Sequence, residues 1–124
     1  MTKAIAHTVL IVEDEEDLRE LMQTALESRG YVVVTAEEGQ DALFKLERIE
    51  RPCLVLLDLL MPGMNGWEFY TKMRQLPNLD GVPVIVHSSA SERAPAGVTQ
   101  VIQKPITFDR LLAVVSKYCA AAPN

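Results

Sequence analysis

The sequence predicts a doubly wound α/β domain built on a parallel sheet. Short β-rich runs alternate with longer amphipathic stretches along the chain. The runs are apolar through their length, as expected of strands covered by helices on both faces. The 124 residues, 48% of them hydrophobic, can bury one sizeable core and leave no room for a second full domain. Right-handed βαβ crossovers then fold such a chain into a doubly wound layer structure.

Residues 7–12 read as the first strand, continuous and apolar. A helix follows over 17–29, with Leu18, Leu21, Met22, Ala25 and Leu26 at helical spacing and Gly30 placed for the C′ position. Residues 31–35 form a second β-branched run. The second helix covers 38–50, with Ala42, Leu43, Leu46 and Ile49 on one side. Pro52 leads into a third strand over 53–57. Residues 61–66 are turn material, and Asn65, with Glu68 three residues on, caps a third helix over 66–76. Strand four is 83–87 and a weaker strand five is 98–102. Thr107 caps a last helix running to about Tyr118, lined by Phe108, Leu111, Leu112 and Val115.

The connection between strands four and five breaks the pattern. Residues 88–97 contain Pro95 and Gly97 and hardly any apolar periodicity, whereas a crossover with its helix needs about a dozen residues. At most one or two helical turns are expected there, in a mobile segment, so the fourth helix is shortened or absent. The tail over 120–124 is expected to fray. No repeat or linker divides the chain, which reads as one domain over 1–124 with a core of about 7–119.

A formal net charge of −5 and a pI near 5.0 argue against a basic nucleic-acid surface or an anionic-membrane surface. The mean hydropathy is +0.09, yet no apolar run approaches the ~18 residues of a spanning helix. The N-terminal residues do not read as a secretory signal. Cys53 and Cys119 could form one bridge at most, and their apolar surroundings read instead as buried thiols in a reducing compartment. The expectation is a soluble, cytoplasmic domain.

In an open parallel sheet, ligands bind beyond the carboxyl ends of the strands. Strand one ends there at Glu13 and Asp14, strand three at Asp58, strand four at Ser88, and strand five at Lys104-Pro105. Clustered carboxylates raise one another's pKa unless a cation compensates them. Hard oxygen ligands of this kind suit Mg2+. Taken singly, each element has a plainer explanation. The acidic run 13–17 suits the first turn of a helix, Asp58 could be a cap, Ser88 ordinary turn chemistry, and Lys104 a surface charge. Their placement at the ends of successive strands, on one edge, is far more specific than any one of them. A dinucleotide or flavin cradle is disfavoured, because five consecutive acidic residues follow strand one and no GxGxxG or Walker A pattern occurs. His7 and His87 are too isolated for zinc, and His87 reads as a packed or hydrogen-bonded strand-end residue. No basic helix suggests direct nucleic-acid binding.

The sequence resembles the receiver domain of two-component response regulators across nearly its whole length. The matching motifs are Glu13-Asp14, the block from Asp58 through Pro62 to Gly66, Ser88, and Lys104-Pro105. The resemblance implies a flavodoxin-like, CheY-like sheet of order 2-1-3-4-5, with the first and last helices on one face and the second and third on the other. It implies that Asp58 accepts a phosphoryl group and that Glu13, Asp14, Asp58 and the backbone carbonyl of Leu60 hold Mg2+. Ser88 would be the switch hydroxyl and Lys104 the cation on the phosphoryl group. It further implies a cis peptide before Pro105. The partners would be a sensor histidine kinase or histidine phosphotransfer protein and a downstream protein target, with no membrane. Such a domain promotes its own phosphorylation and dephosphorylation and is not a dedicated enzyme.

Two departures alter the readout. The family usually carries an aromatic residue three before the lysine, and this chain has Val101. The segment from Ser88 to Lys104 is also about half a helix short, so the face that often carries output contacts is remodelled. The main rival is therefore a phosphorylation-independent interaction module that keeps the pocket without using it. An unrelated phosphohydrolase with Asp58 as nucleophile lacks an acid/base two residues on, where Leu60 stands. The same resemblance implies that Leu60 and Ala90 occupy the positions where polar side chains would orient a hydrolytic water, so the phosphorylated form is expected to be long-lived.

Overall fold

The computed structural model describes residues 8–89 and 93–120. Five strands, β1 (Thr8–Val12), β2 (Val32–Ala36), β3 (Leu54–Leu57), β4 (Val84–Ser88) and β5 (Gln100–Gln103), pair in parallel in the order β2-β1-β3-β4-β5. The register sets Val9 beside both Val33 and Leu54, and Val55 beside Val84. Among the described residues, α1 (Glu16–Glu27), α2 (Gly39–Leu46) and α3 (Gly66–Met73) fill the first three crossovers, and α4 (Phe108–Tyr118) follows β5.

Strand residues alternate between the two faces, and each face has its own core. Val9, Ile11, Leu54, Leu56 and Ile85 pack with Met22 and Leu26 of α1 and Leu111 and Val115 of α4. Leu10, Val12, Val55, Leu57, Val84 and Val86 pack with Ala42 and Leu46 of α2 and Phe69 and Met73 of α3. Burying each Leu or Ile fully is worth about 1.5–3 kcal/mol, so covering both faces is what makes the uniformly apolar strands stable. The expected strand order and helix faces are both observed.

Several helices end earlier than their periodicity suggests. Helix α1 stops at Glu27, where the Ser28 hydroxyl donates to the Ala25 carbonyl at 2.6 Å, and Gly30 turns the chain at φ +87°. Helix α3 closes with bonds from Gln75 N to Lys72 O and from Leu76 N to Met73 O, three residues back. Leu76 precedes Pro77, which disfavours helical geometry at Leu76, and its ψ is 122°. A single 3-10 turn, Pro77–Leu79, follows. Asn65 and Glu68 form the expected capping box of α3, and the Thr107 hydroxyl accepts from Arg110 N at 3.1 Å to cap α4.

The two cysteines are not free thiols. Cys53, just before β3, and Cys119, just after α4, are joined in a disulfide with Cα atoms 5.4 Å apart. This corrects the reading from sequence. Apolar surroundings suit a thiol and a buried bridge equally, and 66 residues separate the pair.

Between β4 and β5 the described residues form no helix, as expected; residues 90–92 lie outside the described set, as do residues 1–7 and 121–124. Ala94 and Val98 instead pack on the α2/α3 core. The Trp67 indole donates to the Arg93 carbonyl at 2.8 Å, tying the connection to α3. Val101, on edge strand β5, is 48% exposed. No helix among the described residues is long and apolar enough to cross a membrane.

Candidate functional site

The sheet itself delivers the site residues. Each lies just past the end of its strand, held by one more ladder bond to the neighbouring strand. Glu13 N donates to Ala36 O at 3.0 Å, Asp58 N to Val12 O at 3.0 Å, and Lys104 N to Ser88 O at 2.7 Å. Backbone bonds within the sheet therefore bring Glu13, Asp58 and Lys104 to one edge. The Lys104-Pro105 peptide is cis.

Glu13, Asp58 and Ser88 are almost fully buried, while Asp14 is exposed. Lys104 Nζ lies 3.2 Å from Glu13 Oε1 and 3.3 Å from Asp58 Oδ1. Glu13 Oε2 accepts from Glu15 N at 3.1 Å. The Arg19 guanidinium donates to the Glu13 carbonyl at 3.0 Å and fixes the turn between β1 and α1. The sequence did not single out Arg19.

Burial dominates the acid–base properties of this cluster. It pushes the Glu13 carboxyl up to about 7; the Glu15 N–H and Lys104 oppose the rise, and the Asp58 charge adds to it. The Asp58 carboxyl is likewise raised by burial, against the pull of Lys104, with Asp14 adding to the rise. Burial pulls the Lys104 ammonium down, but Glu13 and Asp58 together outweigh it and its net shift is upward. His87, 1% exposed, has burial as the chief cause of a pKa lowered to about 3 and is neutral.

His87 packs where the sequence suggested, yet it is not hydrogen-bonded. Its Nδ1 lies 3.6 Å from Glu13 Oε1, and neither ring nitrogen has a hydrogen-bond partner among the described residues. Glu13 Oε1 is met by the Lys104 ammonium at 3.2 Å. Glu13, Asp14 and Asp58 each offer an oxygen, all within 4.8 Å of one another. Three converging carboxylates, two of them buried, fit a small hard dication, and Mg2+ is held by one or two carboxylates plus waters and phosphate oxygens.

A family model for the response regulator receiver domain matches residues 9–116. The chain belongs to this family. It is 34% identical over 121 residues to an uncharacterized 14.6 kDa protein from Leptolyngbya boryana, covering 93% of this chain and 92% of that one. It is 39% identical over 111 residues to the KDP operon transcriptional regulatory protein KdpE of Escherichia coli, covering 85% of this chain but 48% of KdpE. The chain thus spans about half the length of several curated relatives, KdpE among them. Among solved structures, the chemotaxis protein CheY4 of Vibrio cholerae superposes with a TM-score of 0.82 at 28% identity, over 93% of this chain and 99% of CheY4. A receiver fold with this acid cluster is a Mg2+-dependent phosphoacceptor domain.

Sequence reasoning missed two participants besides Arg19. His87 is read from the sequence as a packed strand-end residue, but nothing local marks its approach to Glu13. Glu38, the N-cap of α2, accepts from Met64 N at 3.3 Å across 26 residues of sequence, and no local motif marks that contact.

Proposed function

We propose that Asp58 is the phosphoacceptor of a single receiver domain and that its donor is a sensor histidine kinase or a histidine phosphotransfer protein. The observation that supports this most strongly is the buried Asp58 carboxylate with Lys104 Nζ 3.3 Å away, beside the Glu13–Asp14 pair. In the transfer, an Asp58 oxygen forms the new bond to phosphorus. The donor's bond to phosphorus breaks, and the leaving group keeps the electron pair. Glu13, Asp14, Asp58 and the Leu60 carbonyl would hold Mg2+, which would supply positive charge against the phosphoryl oxygens. Lys104 then exchanges its contact with the Asp58 carboxylate for one with a phosphoryl oxygen. Ser88, at the end of β4, donates its hydroxyl to another and shifts the connection that follows. A downstream protein reads that shift, without direct nucleic-acid binding by this domain.

A second reading, a phosphorylation-independent interaction module, draws on one observation. The half-exposed Val101 on β5 and the lack of a helix among the described residues between β4 and β5 alter the face that would read the switch. Incubation with acetyl phosphate, with and without Mg2+, separates the two by intact mass. A gain of one phosphoryl group only when Mg2+ is present supports the switch. No gain under either condition leaves the module.

A further inference from the structure

The loop that follows Asp58 is clamped from the side by α2. Glu38 divides its carboxylate between two backbone donors. Oε1 accepts from Asp41 N at 2.7 Å, an ordinary N-cap bond, and Oε2 accepts from Met64 N at 3.3 Å. Gly39 N donates to the Met64 carbonyl at 3.1 Å, so both polar backbone groups of Met64 are bound to the start of α2. Two glycines make the approach possible. A Cβ on Gly63, whose φ is +70°, would sit 2.7 Å from Glu38 Oε2, and one on Gly39 would sit 2.7 Å from Met64 Cγ. At the other end of the loop, Gly66 N donates to the Leu59 carbonyl at 2.9 Å. Leu60 lies between these ties, and its neighbour Met61 is buried in the α2/α3 core.

We infer that Glu38 is a positioning residue for the phosphotransfer site: it holds the β3–α3 loop so that the Leu60 carbonyl is presented to the cation. A cap alone needs one carboxylate oxygen, and the second reaches a residue on another element. This inference rests on the phosphoacceptor reading above. A carboxylate suits this double role because each N–H meets its own oxygen, whereas Gln would turn its NH2, a donor, toward one of the two N–H groups.

The test compares the full chain with E38Q, with G63A, whose new Cβ displaces the carboxylate from the other side, and with S28A. The last removes a hydrogen bond at the C-terminal end of α1. Two readouts are taken: amide hydrogen exchange at Met64 without metal, and Mg2+ affinity by calorimetry. E38Q and G63A should both exchange Met64 faster. Their Mg2+ dissociation constants should rise about three- to tenfold, the equivalent of one net hydrogen bond. S28A should change neither. If E38Q does not fold, G63A carries the test. Unchanged Mg2+ affinity in E38Q and G63A, with the parent binding normally, overturns the role of Glu38 and leaves the phosphoacceptor reading standing. A parent that binds no Mg2+ at millimolar concentration overturns both.

Discussion

Lys104 Nζ sits between Glu13 and Asp58, 3.2 Å from Oε1 of the first and 3.3 Å from Oδ1 of the second. One ammonium thus compensates two buried carboxylates that arrive on different strands. Removing it in K104A leaves both uncompensated, and both carboxyl groups should titrate higher than in the parent. The variant keeps its acidic ligands, so Mg2+ binding should persist. Phosphotransfer from acetyl phosphate should slow by about 100- to 1,000-fold, as expected for loss of a charge aimed at the transferring group. Single-turnover kinetics at saturating Mg2+ check this.

His87 stands beside that pair, buried and with no hydrogen bond to either ring nitrogen from the described residues. Replacing it by Leu should raise stability by about 1–3 kcal/mol at pH 7.5. The gain should grow in acid. The folded-state pKa, about 3, is depressed below the ordinary value of 6.5, so between these limits the unfolded chain binds the proton and the folded chain does not. The parent therefore loses stability relative to H87L as pH falls below about 6.5, by roughly 2 kcal/mol at pH 5. Glu13 acts in the opposite sense, because its raised pKa makes the folded state the better proton binder between 4.5 and about 7. Taking the difference between parent and H87L in urea melts without metal largely removes that contribution.

The Cys53–Cys119 bridge closes a loop across a sequence separation of 66 residues. Loop-closure entropy assigns such a cross-link about 4 kcal/mol. Urea melts of the oxidised protein, the reduced protein and the C53S/C119S variant should separate accordingly, with the last two alike. Equal stability in all three would show that the bridge adds nothing.

Leu60 is 56% exposed beside the site and offers no side-chain hydrogen bond to a water. The phosphorylated parent should therefore lose its phosphoryl group more slowly than L60N and A90E. First-order decay with Mg2+ present and donor removed is the measurement. A parent that decays as fast as both polar variants contradicts it.

What the sequence made legible was what is local or periodic. Uniformly apolar runs marked the strands, Asn65 and Glu68 marked the start of α3, and the residues ending successive strands marked the site edge. The disulfide, the approach of His87 to Glu13 and the reach of Glu38 to Met64 were not legible. Each joins residues far apart in the chain, and apolar or acidic surroundings read the same with or without the contact. Helix ends fall between these cases. The expected end of α3 at 76 falls at the residue before Pro77, but the observed end at Met73 depends on how the last turn tightens.

The central claim is that Asp58 carries the phosphoryl group. Borohydride reduces an acyl phosphate to an alcohol, which converts a phosphorylated aspartate to homoserine. After treatment with acetyl phosphate and Mg2+, peptide mapping should find homoserine at position 58 and nowhere else, and D58N should yield none. Homoserine at another aspartate in the parent, or a D58N variant that gains a phosphoryl group at the parent's rate, would contradict the claim.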